Sequence, residues 1–250
     1  KESLLSIRPK IVHLIDVFAK SPFKQEMKEP VSFTALKSED FSFLDGQLCS
    51  TDGTCVPDSQ FNNHLNAVII PYSHARGFSF NGKLFMVGSV ARLNLYKDAL
   101  HAKTKETAAP YLARFPSNNL YDNNVAQAIE ILHAIDASVE LIDSCTELVP
   151  EAPIKVPPRA FKGTGVIEAP RGTLFYELET NEQGTVTKGE IIVPSGQNQI
   201  LMERAIRELV EELVMQDTPK DAIIDQVERL IRAFDPCMSC ASHFLKVKWR

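Results

Sequence analysis

Asp235-Pro236-Cys237-Met238-Ser239-Cys240-Ala241-Ser242-His243 lies close to the end of the 250-residue chain. Directly before it, Ile223, Ile224, Val227, Leu230, Ile231 and Phe234 recur at helical spacing, so a helix runs into the stretch. Pro236 cannot continue a regular helix, which predicts that both thiols stand on a bend just past a helix end. Cysteines three positions apart can close on one metal ion, and His243 offers a further ligand. Thiolates select soft or borderline ions, namely zinc, copper, nickel or iron. The same spacing also suits half of a zinc site, a redox dithiol or two inert buried thiols. The chain has no second C-x-x-C and no H-x-x-x-H to complete a zinc site. A thioredoxin-like dithiol follows a strand and opens a helix, whereas this pair closes one.

Working back from this stretch, Thr218-Pro219-Lys220-Asp221 predicts the start of that helix, with Thr218 as cap and Pro219 in the first turn. Met202, Ile206, Leu209 and Leu213 predict a helix over 198–215. Segments 165–169, 173–179 and 185–193, with a turn over 181–184, predict a small antiparallel sheet. Pro150, Pro153, Pro157 and Pro158 mark an extended connector rather than a domain boundary. Val125, Ile129, Leu132, Ile135, Val139 and Ile142 give one apolar face to a helix from Asp122, which can cap its start; His133 beside the stripe reads as structural. Residues 97–115 read as partly helical.

Asn81-Gly82 is a turn signal inside 72–95, where His74 and Arg76 are candidate contacts on what otherwise reads as a surface hairpin. Residues 62–70 fit either helix or strand, and 51–60 read as a polar loop. Phe33, Phe41, Phe43 and Leu48 with Asp45-Gly46 predict a hairpin or small meander. At the N-terminus, Ile11, Leu14, Ile15 and Phe18 predict a helix over 9–19, divided from a short first turn by Pro9, with His13 facing solvent or another subunit. The class expected is α+β, rich in long helices, with small antiparallel sheets and 1–250 as a single domain.

A net charge of −5 without any basic run argues against a nucleic-acid partner. No apolar stretch approaches the ~20 residues of a membrane span, and no signal peptide opens the chain. Lys1 in place of an initiator Met suggests a processed or truncated start. Five cysteines is an odd count without a secretory context, which fits a reducing, cytoplasmic setting; Cys49 and Cys55, on either side of a turn-like Ser-Thr-Asp-Gly-Thr, could chelate or pair, but the compartment argument favours free thiols.

Three ordered segments resemble the nickel–iron hydrogenase large subunit: D-P-C-x-x-C-x-x-H at 235–243, E-A-P-R-G at 168–172, and V-P-S-G-Q-N at 193–198. Tyr72-Ser73-His74-Ala75-Arg76 and the run from Met86 to Asn94 resemble the cytosolic, nicotinamide-linked and sulfur-reducing branch. The match covers most of this chain but only the C-terminal half of such a subunit, whose first motif, R-x-C-G-x-C, does not occur here.

The resemblance implies reversible oxidation of dihydrogen at a Ni-Fe centre whose iron carries cyanide and carbonyl ligands. Cys237 would be a terminal nickel ligand and proton acceptor, and Cys240 a bridge to iron. Arg171 would stand over the metals, Ser195 would donate to a cyanide, and Pro194 would pack against the diatomic ligands. Read from residue type alone, Arg171 is a fixed charge that cannot ligate a metal, or a plain surface arginine; Ser195 lies near a helix start that favours negative charge, or is a simple cap. His243 and the carbonyl of Ile191 would bind magnesium or a similar ion. Implied partners are an iron–sulfur small subunit, diaphorase or sulfur-reductase-type subunits, and a polypeptide or segment carrying the first cysteine motif. Tyr176 stands where the family has histidine, and Phe244–Arg250 follow the position where the family is processed. The alternatives are a metal-free structural and quinone-site subunit related to respiratory complex I, or a decayed zinc-binding copy.

Overall fold

The apolar periodicities become helices, and the polar interruptions between them decide where each helix stops. The structure is a computed structural model that describes the chain except His74, residues 146–151 and residues 242–250. Among the described residues, helix α1 (Glu2–Ala19) buries Ile15 and packs Ile11, Leu14 and Phe18 on the core. Pro9 does not divide it: the helix is continuous, although the proline ring costs one intrahelical donor. Tertiary contacts compensate, because α1 lies along α4 (Asp122–Ser144). Arg8 also donates from Nε and Nη2 to the buried Asp136 carboxylate at 2.7 and 2.9 Å.

In α4, Val125, Ile129, Leu132 and Ile135 are buried. The expected stripe then runs out of partners, leaving Ile142 exposed. Asp122 does not cap the helix; its carboxylate accepts from Arg114 at 2.7 Å and from Ser117 at 2.6 Å instead. His133 is structural as expected. Burial lowers its pKa, and its Nδ1 accepts from the His101 amide at 3.0 Å.

Strands β1 (Ser32–Lys37), β2 (Gln47–Ser50) and β3 (Cys55–Pro57) form an antiparallel meander, and β6 (Phe85–Met86) joins β1 in parallel. One small sheet is therefore mixed rather than antiparallel. Residues 51–60 are more ordered than a polar loop, since β3 and a 3-10 turn over Asp58–Asn63 occupy them. The β2–β3 register sets Cys49 directly opposite Cys55, with Cα atoms 4.1 Å apart, and the two sulfurs are joined as a disulfide. This overturns the expectation of free thiols: the tight turn between the strands brings the pair within bonding reach, which a cysteine count does not register.

The ambiguous 62–70 segment contributes strand β4 (Leu65–Val68), antiparallel to β5 (Gly77–Phe80). Asn81 and Gly82 both have positive φ, 51° and 75°, as the tight turn after β5 requires. Residues 72–95 are not simply a surface hairpin, because the run beyond β6 becomes the buried helix α2 (Ser89–Tyr96). Helix α3 (Ala102–Leu112) follows.

The sheet of β7 (Phe161–Ala169), β8 (Gly172–Thr180) and β9 (Val186–Ile192) is antiparallel in sequence order, as read. Helix α5 (Pro194–Met215) begins four residues earlier than expected, because Pro194 at its first position is already preset to helical φ. Helix α6 (Lys220–Ala233) buries Ile223, Val227 and Leu230. Thr218 does not cap it; Pro219 is the capping position, and the Thr218 amide donates to the Leu213 carbonyl at 3.0 Å.

Among the described residues, two apolar clusters result. The larger lies among the helices and β1. The smaller joins the sheets through Phe61, Phe78, Phe80, Phe85 and Phe175, with Phe61 stacked on Phe175 at 4.6 Å between centroids. The architecture is α+β and helix-rich, as the sequence predicts. Among the described residues no helix is long and apolar enough to cross a membrane.

Candidate functional site

Helix α6 stops at Ala233, and Asp235 turns the chain with a positive φ of 48° ahead of Pro236. Aspartate tolerates this left-handed conformation better than bulkier residues do. The cysteines then wrap one tight turn, in which the amides of Cys240 and Ala241 donate to the Cys237 carbonyl at 3.1 and 3.3 Å. The two sulfurs lie 2.8 Å apart and are not joined to each other. The bend and the unpaired dithiol follow the sequence reading.

The Cys237 thiol is pulled down to about 7 by the hydrogen bond from Cys240 and then by Ser239, whose hydroxyl is 3.2 Å away, with Arg171 adding a smaller attraction. The Cys240 thiol is pushed up, because it donates to Cys237 and is partly desolvated. One sulfur is thus prepared as a thiolate and the other as its donor.

Three separate elements hold the turn. From the start of α5, the hydroxyl of buried Ser195 accepts from the Cys237 amide at 3.0 Å. From the β7–β8 turn, Arg171 donates through Nε to the Asp235 carbonyl at 2.7 Å and through Nη2 to its carboxylate at 3.2 Å. From α4, Gln127 donates to the same carboxylate at 2.9 Å, and Asn123 donates to the Ala233 carbonyl at 2.9 Å.

Ser195 is therefore not a helix cap. It is the second residue of α5, and its hydroxyl serves a distant strand of chain. Pro194 is buried at the helix start beside it. The neighbouring residues of V-P-S-G-Q-N fasten the site's other walls. Gln197 donates to the Thr173 carbonyl at 2.6 Å, and Asn198 brackets Val87, accepting from its amide at 2.9 Å and donating to its carbonyl at 3.1 Å.

Arg171 reaches the turn because its own hairpin is pressed close to the chain before α2. Gly172 has φ +130°, and a Cβ there would meet Val87 Cγ2 at 2.5 Å, so the hairpin admits only glycine at that point. Beneath the hairpin, Arg92 is fully buried. It donates to Glu130 at 2.6 and 2.7 Å, to Glu168, and to the carbonyls of Ala169 and Pro170 at 3.2 and 3.3 Å. Burial opposes the Arg92 charge, and the two glutamates more than offset it, holding its pKa above the usual guanidinium value. Burial pushes Glu168 up, against the pull of Arg92, the Leu36 amide and the Thr173 hydroxyl. These carboxylates and Asp235 border one cavity of about 580 Å³, whose far wall carries Leu14, Phe18 and Ile131.

Of the residues singled out in the sequence, Arg171, Pro194, Ser195, Cys237 and Cys240 therefore come together. Ile191 is half-exposed on the outer strand β9, paired with Tyr176. His243 and His74 lie outside the described residues. Arg76 pairs with Glu190 at 2.7 Å. Sequence reading missed Arg92, Asn123, Gln127 and Glu130. The last three recur at helical spacing on α4, opposite no charge in sequence, and that polar stripe was their only signal.

Fold and site together define a helix-rich α+β subunit that presents a clamped, unpaired dithiol. The profile of the nickel-dependent hydrogenases matches residues 25–243, and the chain belongs to this family. Its relatives include sulfhydrogenase 1 subunit alpha of Pyrococcus furiosus, 29% identical, with the alignment covering 99% of this chain and 58% of the relative. They also include the NAD-reducing hydrogenase HoxS subunit beta of Cupriavidus necator, 34% identical, with 64% of this chain and 34% of the relative aligned.

Among solved structures, an NAD+-reducing [NiFe]-hydrogenase in the H2-reduced state superposes with a TM-score of 0.72 at 24% identity, covering 97% of this chain and 59% of that one. The Ni-Fe-Se hydrogenase of Desulfovibrio vulgaris Hildenborough superposes at 0.64 and 17% identity, covering 96% and 60%. At these identities the structural likeness establishes the fold. The chain spans little more than half the length of these matched proteins, and less of the HoxS subunit.

Proposed function

We propose that the chain is the part of a nickel–iron hydrogenase large subunit that supplies two of the metal centre's thiolates, and that its reaction is reversible oxidation of dihydrogen. The observation that carries this reading is the clamped dithiol. Cys237 and Cys240 present two sulfurs 2.8 Å apart, with Cys237 drawn toward the thiolate form, on a turn gripped by Ser195 and Arg171. A soft, anionic sulfur pair fits nickel and iron better than it fits hard ions. A nickel–iron centre, when bound, supplies the site at which dihydrogen is split.

The chain's own groups have separate parts. Cys237 would hold nickel as a terminal ligand, for which its tendency toward the thiolate form suits it, and its Sγ would be the nearest base to take a proton. Cys240 would supply the second thiolate, shared between nickel and iron. Arg171 keeps its charge on the open side of the turn, with its side chain 37% exposed, where it would orient the bound gas and donate to a cyanide. Ser195 fixes the Cys237 backbone and would favour the second cyanide, and Pro194 would keep water from that side. His243 and the Ile191 carbonyl would hold magnesium or a similar ion.

Two thiolates do not complete a site that needs four. The remaining pair comes from a segment or polypeptide bearing R-x-C-G-x-C. Electrons leave through an iron–sulfur small subunit toward diaphorase or sulfur-reductase-type subunits in the cytoplasm, in keeping with the relatives named as subunits of sulfhydrogenase and NAD-reducing hydrogenase.

The test is nickel and iron content, together with hydrogen uptake, of the protein purified with its natural partners. One nickel and one iron per chain with uptake is the expected result. Zinc alone, or no metal, would refute the reading.

A further inference from the structure

The β7–β8 turn that carries Arg171 rests on a buried charge cluster. Arg92 is wholly enclosed, and an ion taken out of water costs several kcal/mol unless its partners are well placed. Its five N–H donors are fully engaged. Glu130 takes Nε and Nη2, Glu168 takes Nη1, and Ser89 accepts at 3.1 Å. The same two Nη nitrogens also reach the carbonyls of Ala169 and Pro170, the two residues immediately before Arg171.

Glu168 is anchored in turn by the Leu36 amide at 2.7 Å and the Thr173 hydroxyl at 2.6 Å. Thr173 lies in β8 just past the turn, opposite Glu168, so both legs of the Arg171 turn are held. Apolar side chains of similar volume can replace a buried ion cluster where stability alone is needed. They cannot hold two carbonyls in fixed directions.

We propose that Arg92, braced by Glu130 and Glu168, is the positioning residue that aims Arg171 at Asp235 and so sets the geometry of the cysteine turn. Its consequence for turnover rests on the hydrogenase reading, whereas its consequence for the turn does not. A lysine at 92 keeps the charge but offers one compact ammonium, which cannot span the Glu130 carboxylate and both carbonyls.

Hydrogen exchange by mass spectrometry, on the protein in the complex in which it is purified, tests this with Arg92→Lys, Arg171→Lys and the double variant. In Arg92→Lys, exchange over 235–241 should quicken about tenfold while 201–213 in α5 stays unchanged. The double variant should be no faster than Arg171→Lys alone, because both act through one contact. Unchanged exchange over 235–241, additive effects, or equal quickening in α5 would each overturn the proposal. Should Arg92→Lys not fold, Glu130→Gln, which keeps the shape and removes one brace, must give the same selective pattern. If neither variant folds, or the pattern is absent, the cluster serves stability alone and the proposal fails. Nickel and iron content of the same wild-type sample reports on the hydrogenase reading separately. The exchange pattern without either metal would sink that reading and leave the positioning role standing.

Discussion

The amide of Cys237 donates to the hydroxyl of Ser195, 42 residues earlier in the chain, across 3.0 Å. A serine in the first turn of a helix ordinarily serves that helix's own free amides. Here it reaches across to the turn after another helix, so α5 and the cysteine motif form one unit. Ser195→Ala would leave the Cys237 amide without this acceptor and should cost about 1 kcal/mol of stability. A urea titration reads this directly, and Ser195→Thr, which keeps a hydroxyl, should recover most of the loss. An unchanged midpoint in Ser195→Ala would mean that water replaces the bond at no cost.

The sulfur pair also predicts a pH dependence in metal-free protein. Cys237 is drawn down to about 7, chiefly by the hydrogen bond from Cys240, while Cys240 is raised. Alkylation by iodoacetamide, followed residue by residue, should therefore be half-maximal near pH 7 at Cys237 and at clearly higher pH at Cys240. Cys240→Ala removes the largest cause and should move the Cys237 midpoint upward. The stability linked to a depressed thiol is present above its unfolded pKa and lost as pH falls through the folded value. The metal-free turn should accordingly loosen below pH 7. Equal midpoints for the two cysteines would contradict the assignment.

Much of this architecture was legible because helices announce themselves by period. The stripes on α4, α5 and α6 placed those helices, and Pro236 placed the bend. What stayed hidden depends on contacts between distant segments. Arg92 sits in an apolar run as any helix arginine would, and only its enclosure by Glu130 and Glu168 marks it. Cys49 and Cys55 were legible as a pair but not as a bond, because strand register decides that. Pro9 reads as a break, yet α1 holds through it by packing on α4 and by Arg8–Asp136. In the candidate site, spacing drew attention to Cys237 and Cys240, and the resemblance to the hydrogenase segments nominated Arg171 and Ser195; the polar row of Asn123 and Gln127 became visible only when α4 met the end of α6.

Arg171 carries the third prediction. Its planar fork spans the Asp235 carbonyl and carboxylate, and lysine can match the charge but not the fork. In the hydrogenase reading, Arg171→Lys should retain nickel and iron and lower turnover at least about tenfold, equivalent to roughly 1.4 kcal/mol in the barrier. The comparison is hydrogen uptake per nickel in matched preparations. Equal uptake would remove Arg171 from the reaction and leave it as a clamp on the turn.

Cys240 carries the last. It is exposed and unpaired, and its sulfur stands 2.8 Å from that of Cys237. Serine at 240 preserves the turn's backbone bonds, since the amide that donates to the Cys237 carbonyl is untouched. It also preserves side-chain size, so any loss reports the sulfur itself. A hydroxyl is a hard, weakly acidic donor, and a bridge between two soft metals needs a thiolate. Cys240→Ser should therefore abolish hydrogen activity and lose iron, with nickel reduced as well, while the stability of the metal-free protein stays within about 0.5 kcal/mol of wild type, as expected for a surface change. Metal analysis by mass spectrometry beside a melting curve separates the two effects. Full nickel and iron occupancy in this variant would place the bridging sulfur elsewhere, and a collapsed melting curve would assign Cys240 to the fold rather than to the metals.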